Sequence, residues 1–435
     1  MCDVRKTDPT TSSVNQPKYP KLGATESGVN RSDEAALGKK RQNVAASSDV
    51  GHENKAKRAK QRRRERYADQ RTAAAIYRSM VPAGSKAAGR GVTLCGWTQI
   101  ANDRVRLVRS ESEHPRAFYR GLQVCGLRWV CPCCTIRKSE ESRADLNAAL
   151  SVARQRNIIP VMLTLTARHT KEMSLRGFWS MLSSAEKAMK RTRRWKSLNA
   201  RLVGGFAKAV EITHSNRNGW HPHFHLVMMT DADNETQAID LVEQLRVEWL
   251  HQLDRVGLDG TSKAAKDRSF DVRGAQDAGD YITKWGAAEE MTLASSKVGK
   301  AKGRTPWELL RYARTGSTEL DRMQAGARWW EFVQVMKGVH QLRQSAKFRL
   351  LVAAYEPQEN EPEEPEESTV FLFDDPEWTF GKYKRLAMKE AAEDCTIEDA
   401  YSAVLKVLLS GKTDRDLLDP DDYDPGDLLE DIDPD

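Results

Sequence analysis

The run WHPHFHLVMM, residues 220–229, constrains this chain more than any other short stretch. His221, His223 and His225 stand at alternate positions, with Pro222, Phe224 and Leu226 at the positions next to them. A helix would scatter the three imidazoles around its surface. A strand puts all three on one face and turns the apolar side chains to the other. Residues 206–213 (FAKAVEIT) read as the preceding strand, and the Asn- and Gly-rich residues 214–219 as the turn between them. Three imidazoles on one strand face can hold a divalent metal through their neutral nitrogens. With the turn centred near Arg217, Glu211 lies across from His223, and its carboxylate completes a hard-metal site for Mg2+ or Mn2+. A register slip of one residue would turn Glu211 to the far face.

Around this hairpin, residues 151–350 alternate strands and helices. Residues 158–166 (IIPVMLTLT) read as a buried strand, 175–198 and 236–256 as amphipathic helices, 269–272 as a short strand and 275–289 as a helix. On the last of these, Asp277, Tyr281 and Lys284 fall at i, i+4 and i+7, on one helical face. A tyrosine hydroxyl is a poor nucleophile at its ordinary pKa of about 10. A lysine beside it favours the phenolate, and a metal on a phosphate target removes repelling charge. Taken alone, the segment reads better as a half-buried tyrosine with two solvated charges. Behind a histidine strand in a basic chain, the nucleophile reading is the stronger one.

Of seven cysteines, four lie between residues 125 and 134. Cys131 and Cys134 form a Cys-x2-Cys pair, a spacing that lets both thiolates reach one tetrahedral ion. Cys125 adds a third ligand. Cys95 is the first choice for the fourth and His114 the second, giving a structural Zn2+ site; Cys133 is then a bystander. Clustered cysteines of this kind point to reducing cytosol and not to a secreted disulfide framework. No apolar run reaches the roughly 20 residues of a membrane helix, so no membrane partner is expected.

Three segments in order carry a family resemblance: LTLTARH (163–169), EITHSNRNGWHPHFHLVM (211–228) and DYITKW (280–285). They resemble the three motifs of HUH-type rolling-circle replication initiators, closest to the plasmid Rep group with a single catalytic tyrosine. The likeness spans about residues 95–351, with GRTPWELL and WWEFVQVMKGVHQLRQS in its downstream part. It implies an α+β fold, a five-stranded antiparallel sheet flanked by helices. It also implies that His223 and His225 bind metal, that His221 is an additional histidine of the group, that Tyr281 is the nucleophile and that Lys284 is its partner. Asp277 stands where the family often has a glutamate that activates water at termination, one methylene shorter here. The resemblance further implies a bacterial cytoplasmic protein that captures single-stranded or cruciform origin DNA. It would link Tyr281 to the 5′ phosphate and hand the 3′ hydroxyl to a host polymerase, with a host helicase as a further partner. Trp220 and Trp285 flank the site and either stack on bases or, at least as readily, pack in the core.

The net charge of +7 conceals two opposed parts. Residues 356–435 hold 7 Lys+Arg against 26 Asp+Glu, a net −19, which leaves 62 against 36 and a net +26 on residues 1–355. A body that basic suits a polyanion. The expected organisation is a disordered basic arm (1–70), a zinc-binding module (71–150), the nicking domain (151–350), an acidic Pro-rich linker (351–381), a helical segment (382–411) and an acidic tail (412–435). Two rival functions fit parts of this pattern: a non-catalytic zinc-dependent DNA-binding protein, and a histidine-triad nucleotide hydrolase. The second needs neither the basic body nor the Tyr–Lys segment.

Overall fold

The computed structural model describes residues 44–82, 91–112, 115–274, 303–356 and 366–417. Its centre is a five-stranded, fully antiparallel sheet in the order β6-β3-β5-β4-β7. The strands are β3 (Ile159–Leu165), β4 (Gly205–Ser215), β5 (Gly219–Thr230), β6 (Phe270–Arg273) and β7 (Leu342–Gln344). The protein is an α+β protein. β4 and β5 form the long hairpin at its middle, with Gly219 (φ +74°) opening β5 where a Cβ would lie 3.0 Å from the carbonyl of Lys171.

The two faces of the sheet differ. On one, Leu163, Val210, Ile212, Trp220, Phe224 and Leu226 pack against α3 (Leu175–Met189) and α6 (Arg246–Arg255), through buried Phe178, Leu182, Trp249 and Leu253. The other face changes character along β5. Val227 and Met229 lie under α2 (Pro132–Gln155) and α10 (Ala346–Ala353), whereas His221, His223 and His225 continue the same face toward the hairpin tip. Strand alternation, applied to a run that turns from histidine to valine and methionine, produces both the site and its support.

The expected helix over 175–198 is two helices, α3 and α4 (Arg193–Arg201), because the Thr192 hydroxyl caps the second by accepting from Trp195 N–H. The expected helix over 236–256 likewise splits into α5 (Glu235–Glu243) and α6. His214 and Ser215 extend β4 instead of lying in the turn.

Two stretches expected to lack regular structure have it. Residues 44–70 belong to a helix, α1 (Val44–Met80), part of the presumed disordered arm. It holds few apolar groups, but its last part is anchored by buried Asp69, Gln70 and Ala73, with Asp69 reaching Arg311 and Arg314 of α8 (Pro306–Thr315) at 3.2 and 3.4 Å. Within the expected linker, β8 (Glu367–Leu372) pairs with β1 (Arg106–Ser110), which also pairs with β2 (Ala117–Arg120), in a three-stranded sheet. The small core on this sheet joins Val105, Leu107 and Phe371 to Trp378 of α11 (Asp375–Gly381), Met388 of α12 (Arg385–Glu393) and Val404 of α13 (Ile397–Leu409). Residues 106–120 and 367–409, far apart in sequence, thus share one core. Residues 1–43 and 418–435 lie outside the described residues.

Candidate metal centres

The hairpin register places Glu211 opposite His223. One carboxylate oxygen, Oε2 of Glu211, lies 3.1 Å from Nε2 of His223 and 3.1 Å from Nε2 of His225. Ligands about 2.1 Å from an octahedral ion and at right angles to each other stand about 3.0 Å apart. The donor set, two imidazole nitrogens and a carboxylate oxygen, therefore fits a divalent cation in both chemistry and spacing. β3 supplies the orienting contact: Thr164, paired with His225 across the sheet, puts its hydroxyl 3.0 Å from His225 Nδ1. A fixed Nδ1 leaves Nε2 directed at the carboxylate.

The electrostatics suit a metal. Burial works against a charged Glu211, but hydrogen bonds from His223 and His225 outweigh it and hold its carboxyl well below the usual range. Burial pushes His225 down, so its imidazole is neutral at neutral pH, as a ligand must be. His221 shares the face but not the cluster. Its Nδ1 lies 3.4 Å from Nδ1 of His169, whose ring stacks on Phe178 at 5.3 Å. Burial and the neighbouring His223 and His169 lower His221 to about 4. His169 ends the LTARH segment and had no role assigned from sequence. The only signal was its place just beyond the strand that pairs with the histidine strand.

His214 points to the opposite face, edge-on to Trp220 at 4.8 Å. Trp220 is itself buried, with Nε1 donating to Glu331 at 3.0 Å, which removes it as a base-stacking group. Burial, then Arg328, lowers His214 to about 4. The unfolded chain has a histidine pKa of about 6.5, so it takes up the proton first as pH falls from there toward 4, and stability drops across that window. His214→Gln is expected to flatten this decline in urea midpoints between about pH 7 and pH 4.5; an unchanged slope would refute it.

The second centre is the cysteine cluster. The thiols of Cys95, Cys125, Cys131 and Cys134 all lie within 4.8 Å of one another. Sγ of Cys134 is 3.5 Å from Cys95 and 3.5 Å from Cys125, and Cys131 is 3.6 Å from Cys95. A disulfide would need about 2.05 Å. The edge of a tetrahedron with Zn–S bonds of about 2.3 Å is about 3.8 Å. The residues present fit a tetrahedral metal. Cys131 is the N-cap of α2, with Pro132 at N1 and Cys134 one turn in, so the helix N-terminus favours thiolates there. Hydrogen bonds from Cys125, Cys131 and Cys95 pull the Cys134 thiol below its ordinary value. Sequence reasoning missed Gln70 on α1: its Nε2 donates to the Cys95 carbonyl at 2.8 Å and lies 3.8 Å from Cys131 Sγ. Cys133 turns aside, donating to the Gln70 carbonyl oxygen at 3.5 Å. His114, the alternative fourth ligand, lies outside the described residues, as do Asp277, Tyr281, Lys284 and Trp285.

Residues 117–255 match the replication protein family Rep_1. Over these residues the chain is similar to replication proteins. The match runs from β2 to α6 and contains Glu211, the three histidines and three of the four clustered cysteines, in agreement with the resemblance to plasmid Rep initiators. The chain is also 24% identical over 278 residues to "Protein rep" of Streptomyces lividans, covering 50% of this chain and 61% of that protein. It is 27% identical over 145 residues to "Neomycin resistance protein" of Streptomyces cyanogenus, covering 28% and 33%. The replication-protein likeness thus spans about three fifths of the first relative's length. No solved structure matches the chain. No helix of the described residues is long and apolar enough to cross a membrane.

Proposed function

We propose that this chain initiates rolling-circle replication of a plasmid or phage-like replicon, as an HUH-type enzyme that nicks one strand at an origin and later rejoins it. The observation that carries the reading is the convergence of Glu211, His223 and His225 on adjacent strands, within a replication-protein segment. A Mg2+ or Mn2+ ion held by these three residues would supply positive charge at the scissile phosphate. Thr164 fixes the ring of His225, and His169 packs against His221 at the edge of the same face.

In this reading the Tyr281 hydroxyl oxygen attacks the phosphorus. The P–O3′ bond breaks, a P–O(Tyr) bond forms, and the phenolic proton ends on the departing 3′ hydroxyl. Lys284 favours the phenolate, and Asp277 takes the proton of an attacking group at termination. A 3′ hydroxyl attacking the phosphotyrosine restores the phosphodiester, so each step exchanges one P–O bond for another with no outside energy source. The four cysteines would hold a structural Zn2+, which would tie the start of α2 to residues 95–125.

The test is to incubate purified protein and Mn2+ with single strands spanning the DNA that flanks its gene, then run a denaturing gel. A nuclease-sensitive shifted band, lost in Tyr281→Phe and with chelator, is the expected result. Binding without an adduct on any fragment would leave a DNA-binding protein without nicking activity.

A further inference from the structure

The charge asymmetry of the sequence has a local counterpart. Lys60, Arg63 and Arg64 lie on one face of α1, and each meets a carboxylate at the C-terminal end of α12. Lys60 pairs with Asp394, Arg63 with Glu393 at 2.7 Å, and Arg64 with Glu390 through two bonds of 3.1 and 2.8 Å. The two-bond arginine contact is the geometry with which guanidinium groups hold carboxylate and phosphate alike. Three cations facing a row of anionic oxygens along a second helix is therefore the electrostatic arrangement of a basic helix against a phosphate backbone.

We propose that this face of α1 is a phosphate-binding surface for DNA, covered here by Glu390, Glu393 and Asp394 acting as an internal polyanion. The inference rests on DNA being the partner, as proposed above, but not on nicking or on either metal. Each helix has an anchor away from the ion pairs. Met388 and Ala392 bury α12 in the small core, and Asp69, Gln70 and Ala73 fasten α1 farther along. Glu393 also accepts from Ala117 N–H at 2.7 Å, so it keeps a partner when Arg63 leaves. The Lys60–Asp394 pair keeps contact with solvent and is weak on its own, whereas Glu390 and Glu393 are nearly buried, so displacing Arg63 and Arg64 has to be offset by the DNA contacts. DNA offers many phosphates and gains from counterion release on binding, so exchange of one polyanion for the other is feasible.

The test uses the full chain without added Mg2+ or Mn2+, with duplex DNA of unrelated sequence, followed by fluorescence anisotropy over a range of salt. Combined Glu390→Gln, Glu393→Gln and Asp394→Asn is expected to tighten binding about tenfold. It should also steepen the slope of log affinity against log salt by up to about 2.7, or 0.9 for each freed cation. Combined Lys60→Gln, Arg63→Gln and Arg64→Gln is expected to weaken binding and flatten that slope. Asp240→Asn, Asp254→Asn and Asp267→Asn make the same change in net charge at exposed sites elsewhere, and their smaller effect sets the baseline. The inference is overturned if the first variant binds no tighter than this baseline, or if the second binds as tightly as the wild type. Should the triple acidic variant not fold, Asp394→Asn alone carries the test, since its side chain is 56% exposed. A wild type that binds no DNA would overturn the DNA reading itself. Normal binding with no gain in the variants overturns this inference alone.

Discussion

Glu211→Gln is expected to lower metal-dependent strand cleavage at the origin by at least about a hundredfold, with little change in fold. One carboxylate oxygen of Glu211 touches both His223 and His225, at 3.1 Å each. An amide in its place keeps the shape but offers one neutral oxygen and an N–H pair facing two imidazole nitrogens. Cation affinity falls, so cleavage in the variant should recover partly as Mn2+ is raised. DNA binding measured without added divalent metal should match that of the wild type. The Phe224 side, which carries the core, faces away from the substitution, so the thermal midpoint should move by only a few degrees. Full cleavage by Glu211→Gln at low Mn2+ would sink the assignment of this cluster as the catalytic metal centre.

Removing the metal from the cysteine cluster is expected to have the largest effect on stability. Three of the four cysteines are buried, and the fourth is partly so. Without an ion these close-set thiols lose their common partner while remaining in a site of low polarity. Structural zinc contributes on the order of 10 kcal/mol in small zinc domains. Only part of that appears here, because α2 is also fastened to the sheet through Leu146, Leu150 and Val152. Stripping with a strong chelator, or Cys134→Ser, should lower the thermal midpoint by about 10 °C or more. It should also expose the α1–α2 junction to protease, because Gln70 then loses the thiolate beside it. Bound metal measured on the purified protein should be close to one zinc per chain at this site. An unchanged midpoint after complete stripping would show that the thiols are merely packed. In neither experiment does one cluster's loss imply the other's: no residue is shared between them.

What the sequence determined was local. Alternation of histidine with Pro222, Phe224 and Leu226 set both faces of β5, and a turn placed near Arg217 set the register that brings Glu211 opposite His223. These follow because a strand repeats every two residues and a hairpin joins neighbours in the chain. The Cys-x2-Cys spacing set Cys131 and Cys134 side by side for the same reason, since a helix N-terminus brings residues one turn apart together.

The tertiary structure decided the rest. Nothing in residues 163–169 says that His169 meets His221; that depends on β3 lying beside β5. The polar run 57–66 reads as a solvated arm until its partners, more than three hundred residues away, are in place beside it. β8 lies in a stretch whose proline and glutamate content reads as linker, yet β1 has a free edge for it to fill. Ion pairs and strand pairings between distant segments leave no periodic trace in either partner. They are settled only when the whole chain brings complementary charges and unpaired backbone edges together.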